Sequence, residues 1–304
     1  MDVAIMVEGQ WGLNWPRWQR IARAVETLGF AGLYRSDHIT NQEPPYQDSL
    51  ELWVSLTWLA DHTQHIAFGP LVSPVSLRHP VTTARMAGAV DDLSGGRLHL
   101  GLGAGWQERE HAGYGFDLLD VPRRLARFQE GVEVIARLLH SDTPVSFDGT
   151  FYRLHDAILL PRPQRPGGPP IVIGGGRGVL PLAARCADEW NVAFKSPAAF
   201  AALSARLDTL LQEHGRRPGD VRRSLMTGLL FGRDDQELRQ KVSRSSRTVD
   251  ELRAAGLIVG TGAAVVDQLG RLAEAGVQRV MLQWLDLDDV DGLAALAQAV
   301  LPQL

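Results

Sequence analysis

Cysteine, lysine and long apolar runs are all scarce in this chain. Cys186 is the one cysteine among 304 residues, so an intrachain disulfide is excluded, and we expect a buried bystander there. No apolar run reaches the roughly 18 residues of a membrane span. The stretch MDVAIMVEGQ has no basic region before its apolar residues, so it does not resemble a signal peptide. We therefore expect a cytoplasmic protein that contacts no membrane.

The charge of the chain is also low. A net charge of −4 is too small to indicate a nucleic-acid partner. No cluster of His, Asp and Glu has the spacing of metal ligands, so no metal is expected. Lys195 and Lys241 are the only lysines, and the other basic side chains are arginines. The expected partners are a small-molecule substrate and a second copy of the chain.

Eight apolar stretches, each followed by a segment of helical periodicity, follow one another along the chain. The predicted strands are VAIMVEG (3–9), AGLYRSDH (31–38), IAFGPLVSPVS (66–76), RLHLGL (97–102), PPIVIGGG (169–176), WNVAF (190–194), RSLMTGLLFG (223–232) and QRVMLQW (278–284). Strict alternation of this kind occurs in open sheets, but eight successive units favour a closed (β/α)8, or TIM, barrel. We expect an α/β fold with one domain over residues 1–304.

The connection after the fourth strand, residues 107–168, is too long for a simple link. It contains a helical pattern near Val121–Leu139 and the sequence PVSFDGTFYRL, which predicts a hairpin turning at Asp148 and Gly149. We interpret this segment as an insertion in the barrel.

The active site of such a barrel lies at the carboxyl ends of its strands. Strand two ends in Asp37 and His38. A histidine there is a candidate acid or base, because its pKa is near neutrality and a carboxylate can fix its tautomer. Neighbouring residues of a strand point to opposite sides, so Asp37 reaches His38 only if the chain bends. A structural histidine is the alternative.

Two glycine-rich stretches lie at the same end of the barrel. SGGRLHLGLGAGW (94–106) is not a dinucleotide fingerprint, because Trp106 stands where the third glycine belongs. The run Gly174–Gly176 precedes a helix, and exposed amides at such a point bind anions. Lys195, one strand over, would supply a cation. A flexible turn is the alternative for these glycines.

Several segments together resemble the bacterial luciferase-like family of flavin and deazaflavin oxidoreductases. They are SDH (36–38), VSPVSLRHP (72–80), DDLSGGRLHLGLGAGWQEREHAGYGF (91–116), PPIVIGGG (169–176), AARCADEWN (183–191) and IVGTGAAVVDQL (258–269). The family fold is a TIM barrel with insertions, which agrees with the strand count. The central segment is similar to that of members dependent on coenzyme F420, a 5-deazaflavin, and FMN is the alternative cofactor.

The resemblance implies a role for each candidate residue. His38 would face the hydride-exchanging carbon of the ring, and the alternate glycines would leave room for a flat ring against bare backbone. Trp106 and Phe194 would wall an apolar pocket for an apolar or aromatic substrate. The residues implied to bind the cofactor are Val72, Ser73, Ala104 and Gly105 for the ring, and Gly174, Gly175, Gly176 and Lys195 for the phosphate tail.

Two departures from the family pattern narrow these expectations. The glucose-6-phosphate dehydrogenase branch has an acidic residue where Trp106 stands and an aromatic residue after its Asp-His pair, so glucose 6-phosphate is excluded as substrate. F420-dependent members have a non-proline cis peptide in a bulge of strand three. The segment FGPLVSPV (68–75) is one residue shorter than in those members, so the sequence leaves the presence of the cis peptide open. Absence of the cis peptide would favour FMN as the cofactor. A non-catalytic flavin-binding paralogue and a phosphosugar isomerase remain as rival functions.

Overall fold

The computed structural model describes residues 1–303 and contains twelve strands. They are β1 Asp2–Val7, β2 Gly32–Arg35, β3 Ala67–Pro70, β4 Ser73–Pro74, β5 Leu100–Gly103, β6 Val145–Asp148, β7 Arg153–Ala157, β8 Ile171–Gly174, β9 Glu189–Ala193, β10 Arg222–Phe231, β11 Ile258–Gly260 and β12 Arg279–Gln283. The third predicted strand is thus split into β3 and β4. The eight predicted strands are all present, with shifted ends.

These strands close into a parallel barrel. Hydrogen bonds connect them in the order β3-β2-β1-β12-β10-β9-β8-β5-β4. The ring closes between β3 and the residues before β5, where Phe68 N donates to Arg97 O (3.1 Å) and His99 N to Phe68 O (2.8 Å). The predicted (β/α)8 barrel is confirmed.

Eleven α-helices accompany the strands within residues 1–303. They are α1 Trp15–Leu28, α2 Leu52–His62, α3 Pro80–Leu93, α4 Glu108–Tyr114, α5 Val121–His140, α6 Leu180–Cys186, α7 Pro197–Glu213, α8 Asp235–Ser243, α9 Val249–Ala254, α10 Gly262–Glu274 and α11 Val290–Val300. In this described part of the chain, no helix combines the length and the apolar composition of a membrane span.

Local sequence explains how α1 begins and ends. Asn14 caps its first turn by accepting a hydrogen bond from Arg17 N, and Gly29 ends it in the left-handed conformation (φ +82°). Trp18 lies on the buried face of this helix. The same face packs into the apolar layer between barrel and helices.

The segment between β5 and β8 contains α4, α5 and an antiparallel hairpin of β6 and β7. Helix α5 packs against α3, as the fourth helix of the barrel does. The residues beyond a plain βα unit are therefore α4 and the hairpin. The sequence did not predict α9 or β11, which have six and three residues; β11 pairs with the end of β10.

The floor of the barrel is closed by buried polar side chains. Arg279 Nη1 donates to Tyr34 OH and to Glu189 Oε2, both at 2.8 Å, and it lies 3.2 Å from His99 Nδ1. Burial raises the pKa of Glu189, but His99 and Arg279 outweigh it, so that pKa lies below its ordinary value. The interior therefore opens only above this floor, toward the carboxyl ends of the strands.

Removing the cation from this floor should destabilise the fold. We expect Arg279→Met to lower the free energy of unfolding by about 3–5 kcal/mol, because it leaves the Glu189 carboxylate buried without its partner. Denaturant titration at neutral pH measures the loss. The control Arg222→Met breaks the half-exposed pair with Asp2, where a loss of about 0–1 kcal/mol is expected. An equal decrease in the free energy of unfolding in the two variants would show that the buried pair of Arg279 and Glu189 contributes no more to stability than the surface pair.

Candidate active site

A cavity of about 720 Å³ opens at the carboxyl ends of the barrel strands. Side chains two residues apart on a strand lie on the same face, and this alternation explains which of them enter the cavity. Met6 and Met281 point into the barrel below the cavity. Glu8 and Gln283, each two residues later, therefore point inward at the level of the cavity. The lining includes the following residues predicted from the sequence: Asp37, His38, Val72, Ala104, Gly105, Trp106, Gly174, Gly175 and Phe194.

Three predicted residues do not line this cavity. Ser73 is buried, and its hydroxyl donates to Asp37 Oδ2 (2.7 Å). Gly176 lies in open space, since a Cβ built there would meet no atom within 4 Å. Lys195 follows β9 and is partly exposed outside the lining. The expected cation for the cofactor tail is therefore not brought to the cavity wall.

His38 is held by a carboxylate that the sequence did not indicate. Its Nδ1 lies 3.0 Å from Glu110 Oε1, and Ile39 N donates to the second oxygen of the same carboxylate (2.9 Å). Asp37 instead faces Ser73 and Arg78. The expectation that Asp37 fixes the tautomer of His38 is thus wrong, because successive residues of this chain point to opposite sides.

The surroundings of His38 favour its protonated form. Burial lowers the pKa of the imidazole, but the hydrogen bond and charge of Glu110, with smaller contributions from Glu8 and Asp37, raise it above the ordinary value. The Glu110 side chain is only 1% exposed, so this interaction is shielded from water. Within residues 1–303, Nε2 of His38 has no hydrogen-bond partner. That nitrogen is the one available to a molecule in the cavity.

Asp37 is part of a structural ion pair. Burial raises the pKa of its carboxyl group, against the opposing effects of Arg78 and Ser73. Arg78 also donates to Glu51 Oε1 (2.8 Å), which joins the end of β2 to the start of α2. The pair therefore fixes the loops around the cavity.

A polar network missed by the sequence analysis lies beside His38. Glu8 accepts hydrogen bonds from the amides of Gln10 (2.9 Å) and Gln283 (2.6 Å), and Ser36 donates to Gln10 (2.7 Å). Glu8 directly follows the first strand of the barrel, and Gln283 is the last residue of the final strand. The rule that located His38 would have found them if it had been applied to strands one and eight.

The glycines at alternate positions of the fourth strand, Gly101 and Gly103, make room for a neighbouring strand and not for a flat ligand. A Cβ at Gly101 would lie 2.1 Å from Pro70 O, and one at Gly103 would lie 2.4 Å from a methyl group of Val72. Gly174 would likewise meet Val72, at 2.6 Å. The glycines thus admit the bulge between β3 and β4, where the Leu71–Val72 peptide is cis. The cis peptide that the sequence left open is present, and Val72 forms part of the cavity wall.

Arg124 was also missed, because it lies in the segment after strand four. It is on the first turn of α5, lines the cavity and is partly buried. No carboxylate or hydrogen-bond acceptor of residues 1–303 contacts its guanidinium. A cation desolvated without a partner is a candidate for binding an anion.

Large apolar side chains surround the mouth of the cavity. Trp106 is 54% exposed and packs edge-to-face on His38, with the ring centres 5.3 Å apart. The other exposed apolar residues of the lining are Trp11, Val121, Phe194 and Leu285. A contiguous apolar rim of this kind marks a binding surface. In the described part of the chain, no group of three or more His, Cys, Asp and Glu side chains is arranged for a metal.

Comparison with known proteins identifies the family. The profile of the luciferase-like monooxygenase family matches residues 6–250. The chain belongs to this family. Its relatives include an F420-dependent glucose-6-phosphate dehydrogenase of Kineococcus radiotolerans, 29% identical over 90% of this chain and 80% of that enzyme. Another is the 4-hydroxyprotoasukamycin monooxygenase of Streptomyces nodosus subsp. asukaensis, 32% identical over 60% of this chain but only 47% of that enzyme.

Solved structures of the family share the fold. An F420-dependent secondary alcohol dehydrogenase in complex with an F420-acetone adduct matches all of this chain and 99% of its own, with a TM-score of 0.85 at 19% identity. A long-chain alkane monooxygenase matches all of this chain and 91% of its own, with a TM-score of 0.82 at 16% identity. At identities this low, these TM-scores show that the three proteins share a fold.

Glu110 should control the titration of His38 in this luciferase-like protein. We expect Glu110→Gln to lower the pKa of His38, because the amide keeps an acceptor oxygen but removes the negative charge. The NMR titration of labelled imidazole carbons measures the change. Glu108→Gln, on the exposed face of the same helix, is the matched control and should leave the titration unchanged. An unaltered pKa in Glu110→Gln would show that the carboxylate does not set the charge of His38.

Proposed function

We propose that this luciferase-like protein is an oxidoreductase that transfers a hydride between coenzyme F420 and a small apolar substrate. The observation that carries the proposal is His38, which lines the cavity and whose Nδ1 is hydrogen-bonded to Glu110, while its Nε2 has no hydrogen-bond partner among residues 1–303. A monooxygenase of the same family that uses FMN is the second candidate, because one relative is a monooxygenase.

The cavity suits a flat ring with an anionic tail. Leu71, Val72 and Val179 give it apolar walls, and Ala104 with Gly105 adds a stretch of backbone at one side. Arg124, which has no hydrogen-bond acceptor or carboxylate partner among residues 1–303, supplies a cation. Two relatives that align with about nine-tenths of this chain are F420-dependent glucose-6-phosphate dehydrogenases, and a pyrimidine monooxygenase aligns with 84% of it. The first two support F420 as our first choice of cofactor.

When bound, the deazaflavin supplies or accepts the hydride; the protein positions the substrate and moves the proton. Nε2 of His38 donates the proton to a carbonyl oxygen during reduction, or takes it from a hydroxyl during oxidation. Glu110 holds the imidazole in one orientation throughout. Trp106 and Phe194 cover the reacting atoms from water.

The rim also defines the substrate. Trp106 stands against His38, where a sugar phosphate would need a polar partner, so we propose an apolar or aromatic alcohol or ketone. Glu8, which accepts hydrogen bonds from the amides of Gln10 and Gln283, lines the cavity and would accept a hydrogen bond from a substrate hydroxyl. Glucose 6-phosphate, the substrate named for the Kineococcus relative, does not suit this rim.

Cofactor binding tests the first part of the proposal. We expect fluorescence titration to show F420 binding more tightly than FMN. Arg124→Ala should weaken both phosphorylated cofactors by about 10- to 100-fold, the worth of a charge-assisted hydrogen bond, and should spare the phosphate-free deazaflavin core.

Lys195→Ala is the matched control and should leave all three ligands unaffected. If only Lys195→Ala weakened binding of the phosphorylated cofactors, Lys195 and not Arg124 would be the residue that binds the cofactor phosphate. Micromolar FMN affinity without F420 binding would reverse the choice of cofactor.

Turnover tests the second part. We expect His38→Ala to bind the cofactor normally and to react about 10²- to 10⁴-fold more slowly, the usual worth of general acid–base catalysis. The assay is F420 reduction with a panel of apolar alcohols, or reoxidation with enones. A lower melting temperature with unchanged turnover per folded molecule would assign His38 a structural role. If wild type and His38→Ala both bind the cofactor but neither shows turnover, this protein is better explained as a non-catalytic paralogue.

A further inference from the structure

A second cavity, of about 780 Å³, lies in the helical layer outside the barrel. Its lining residues fall within 133–146 and 182–186, and we call it the outer groove. Helix α5 packs on α3 and α6 packs on α7, so the groove lies between α5 and α6, with strand β6 of the hairpin at one side. It shares no lining residue with the cavity at the barrel mouth. The outer groove is therefore a separate place where a molecule can be held.

Part of the wall of the outer groove is apolar. Val145 and Leu182 are buried, Ala136 and Cys186 are partly buried, and all four line the groove. The thiol of Cys186 donates to Leu182 O (3.3 Å), so its one polar hydrogen already has an acceptor. A ligand with an apolar part would gain free energy by covering this wall and releasing water from it.

Basic side chains outnumber acidic ones in the lining of the outer groove. Glu133 is the one acidic residue there, and it is paired with Arg137 on the next turn of α5. Arg185 and His140 also line the groove, and neither has a hydrogen-bond or ion-pair partner among residues 1–303. The groove therefore has an uncompensated positive charge at Arg185, and a second one whenever His140 is protonated.

The ends of the two helices do not account for this charge. Basic residues in the last turn of a helix commonly interact with its free carbonyl groups. Other arginines do so here: Arg162 donates to two carbonyl oxygens in the last turn of α5, at 2.8 and 2.7 Å. Arg216 donates to two carbonyl oxygens at the end of α6, at 3.0 and 2.8 Å. Arg185 is therefore free to meet an anion from outside the chain.

The size of the outer groove favours a small molecule over a protein. Along α5 its lining runs from Glu133 to His140, which is about two turns or 10 Å. This span is short for a stable protein interface, which buries about 800 Å² on each partner. The volume of the groove is instead within the range of about 300–1,000 Å³ that is usual for small-molecule sites.

We propose that the outer groove binds a small carboxylate with an apolar chain. The carboxylate pairs with Arg185, and the chain covers the apolar wall formed by Ala136, Val145 and Leu182. Both requirements are set by side chains outside the barrel mouth. The inference therefore does not rest on the proposed function.

The single cysteine makes occupancy of the outer groove measurable, because Cys186 lies in its wall. Burial raises the pKa of this thiol to about 11. Its alkylation by iodoacetamide in the full chain is therefore followed at about pH 9, where a small fraction is ionised. We expect octanoate to slow alkylation until the effect saturates, and 1-octanol, which lacks the charge, to protect the thiol much less. Each rate is compared with that of the same protein without a probe.

A charge-removing variant tests the role of Arg185. We expect Arg185→Gln to weaken octanoate binding about 2- to 5-fold, the worth of an exposed ion pair, and to leave protection by 1-octanol unchanged. The matched control is Arg206→Gln, at an exposed arginine of α7, which should bind octanoate as wild type does.

Three results would overturn the inference. They are protection that does not saturate, equal protection by octanoate and 1-octanol, and a loss in Arg206→Gln as large as that in Arg185→Gln. The last of these would reduce the effect to net charge. Because neither probe is a cofactor and Cys186 is not at the barrel mouth, none of these results bears on the proposed oxidoreductase activity.

Discussion

The hydrogen-bonded pair of Glu110 and His38 is the interaction on which the site depends. Glu110 comes from α4 and reaches the end of β2, where it contacts both the imidazole and the backbone amide of Ile39. This carboxylate is buried, so breaking the contact would leave a charge without water or partner. The pair therefore draws the segment after β5 across the barrel mouth. Trp106 is placed against His38 as a consequence, and one wall of the cavity is formed.

A second constraint comes from close packing of backbone around Val72. A bulge separates β3 from β4. It packs against the neighbouring strands β5 and β8 without a steric clash only because Gly101, Gly103 and Gly174 have no side chain. A flat ligand explains the same glycines equally well at the level of sequence. Only the structure shows that Pro70 and Val72 already fill the space beside these glycines, and that Val72 then forms part of the cavity wall.

The barrel was predictable because parallel strands covered on both faces read as apolar runs separated by helical patterns. The strand-end rule likewise placed His38, Val72 and Phe194 at one cavity. The rule does not tell which distant residue meets which: Glu110 is 72 positions from His38, and no local pattern connects them. The same rule predicts Lys195 near the end of strand six, but neither the rule nor the rarity of lysine in this chain indicates where its side chain points.

Buried acid–base contacts occur at both ends of this barrel, and their difference explains where chemistry is possible. At the floor, Arg279 Nη1 donates to Glu189 and Tyr34 and lies beside His99, so this end of the guanidinium is held by buried partners. At the mouth, Glu110 uses one nitrogen of His38 and leaves the other without a partner among residues 1–303, in a residue that lines a cavity of about 720 Å³. The same kind of pairing thus stabilises one end and prepares the other for a ligand. Reactivity here requires an imidazole that is fixed on one side and unsatisfied on the other.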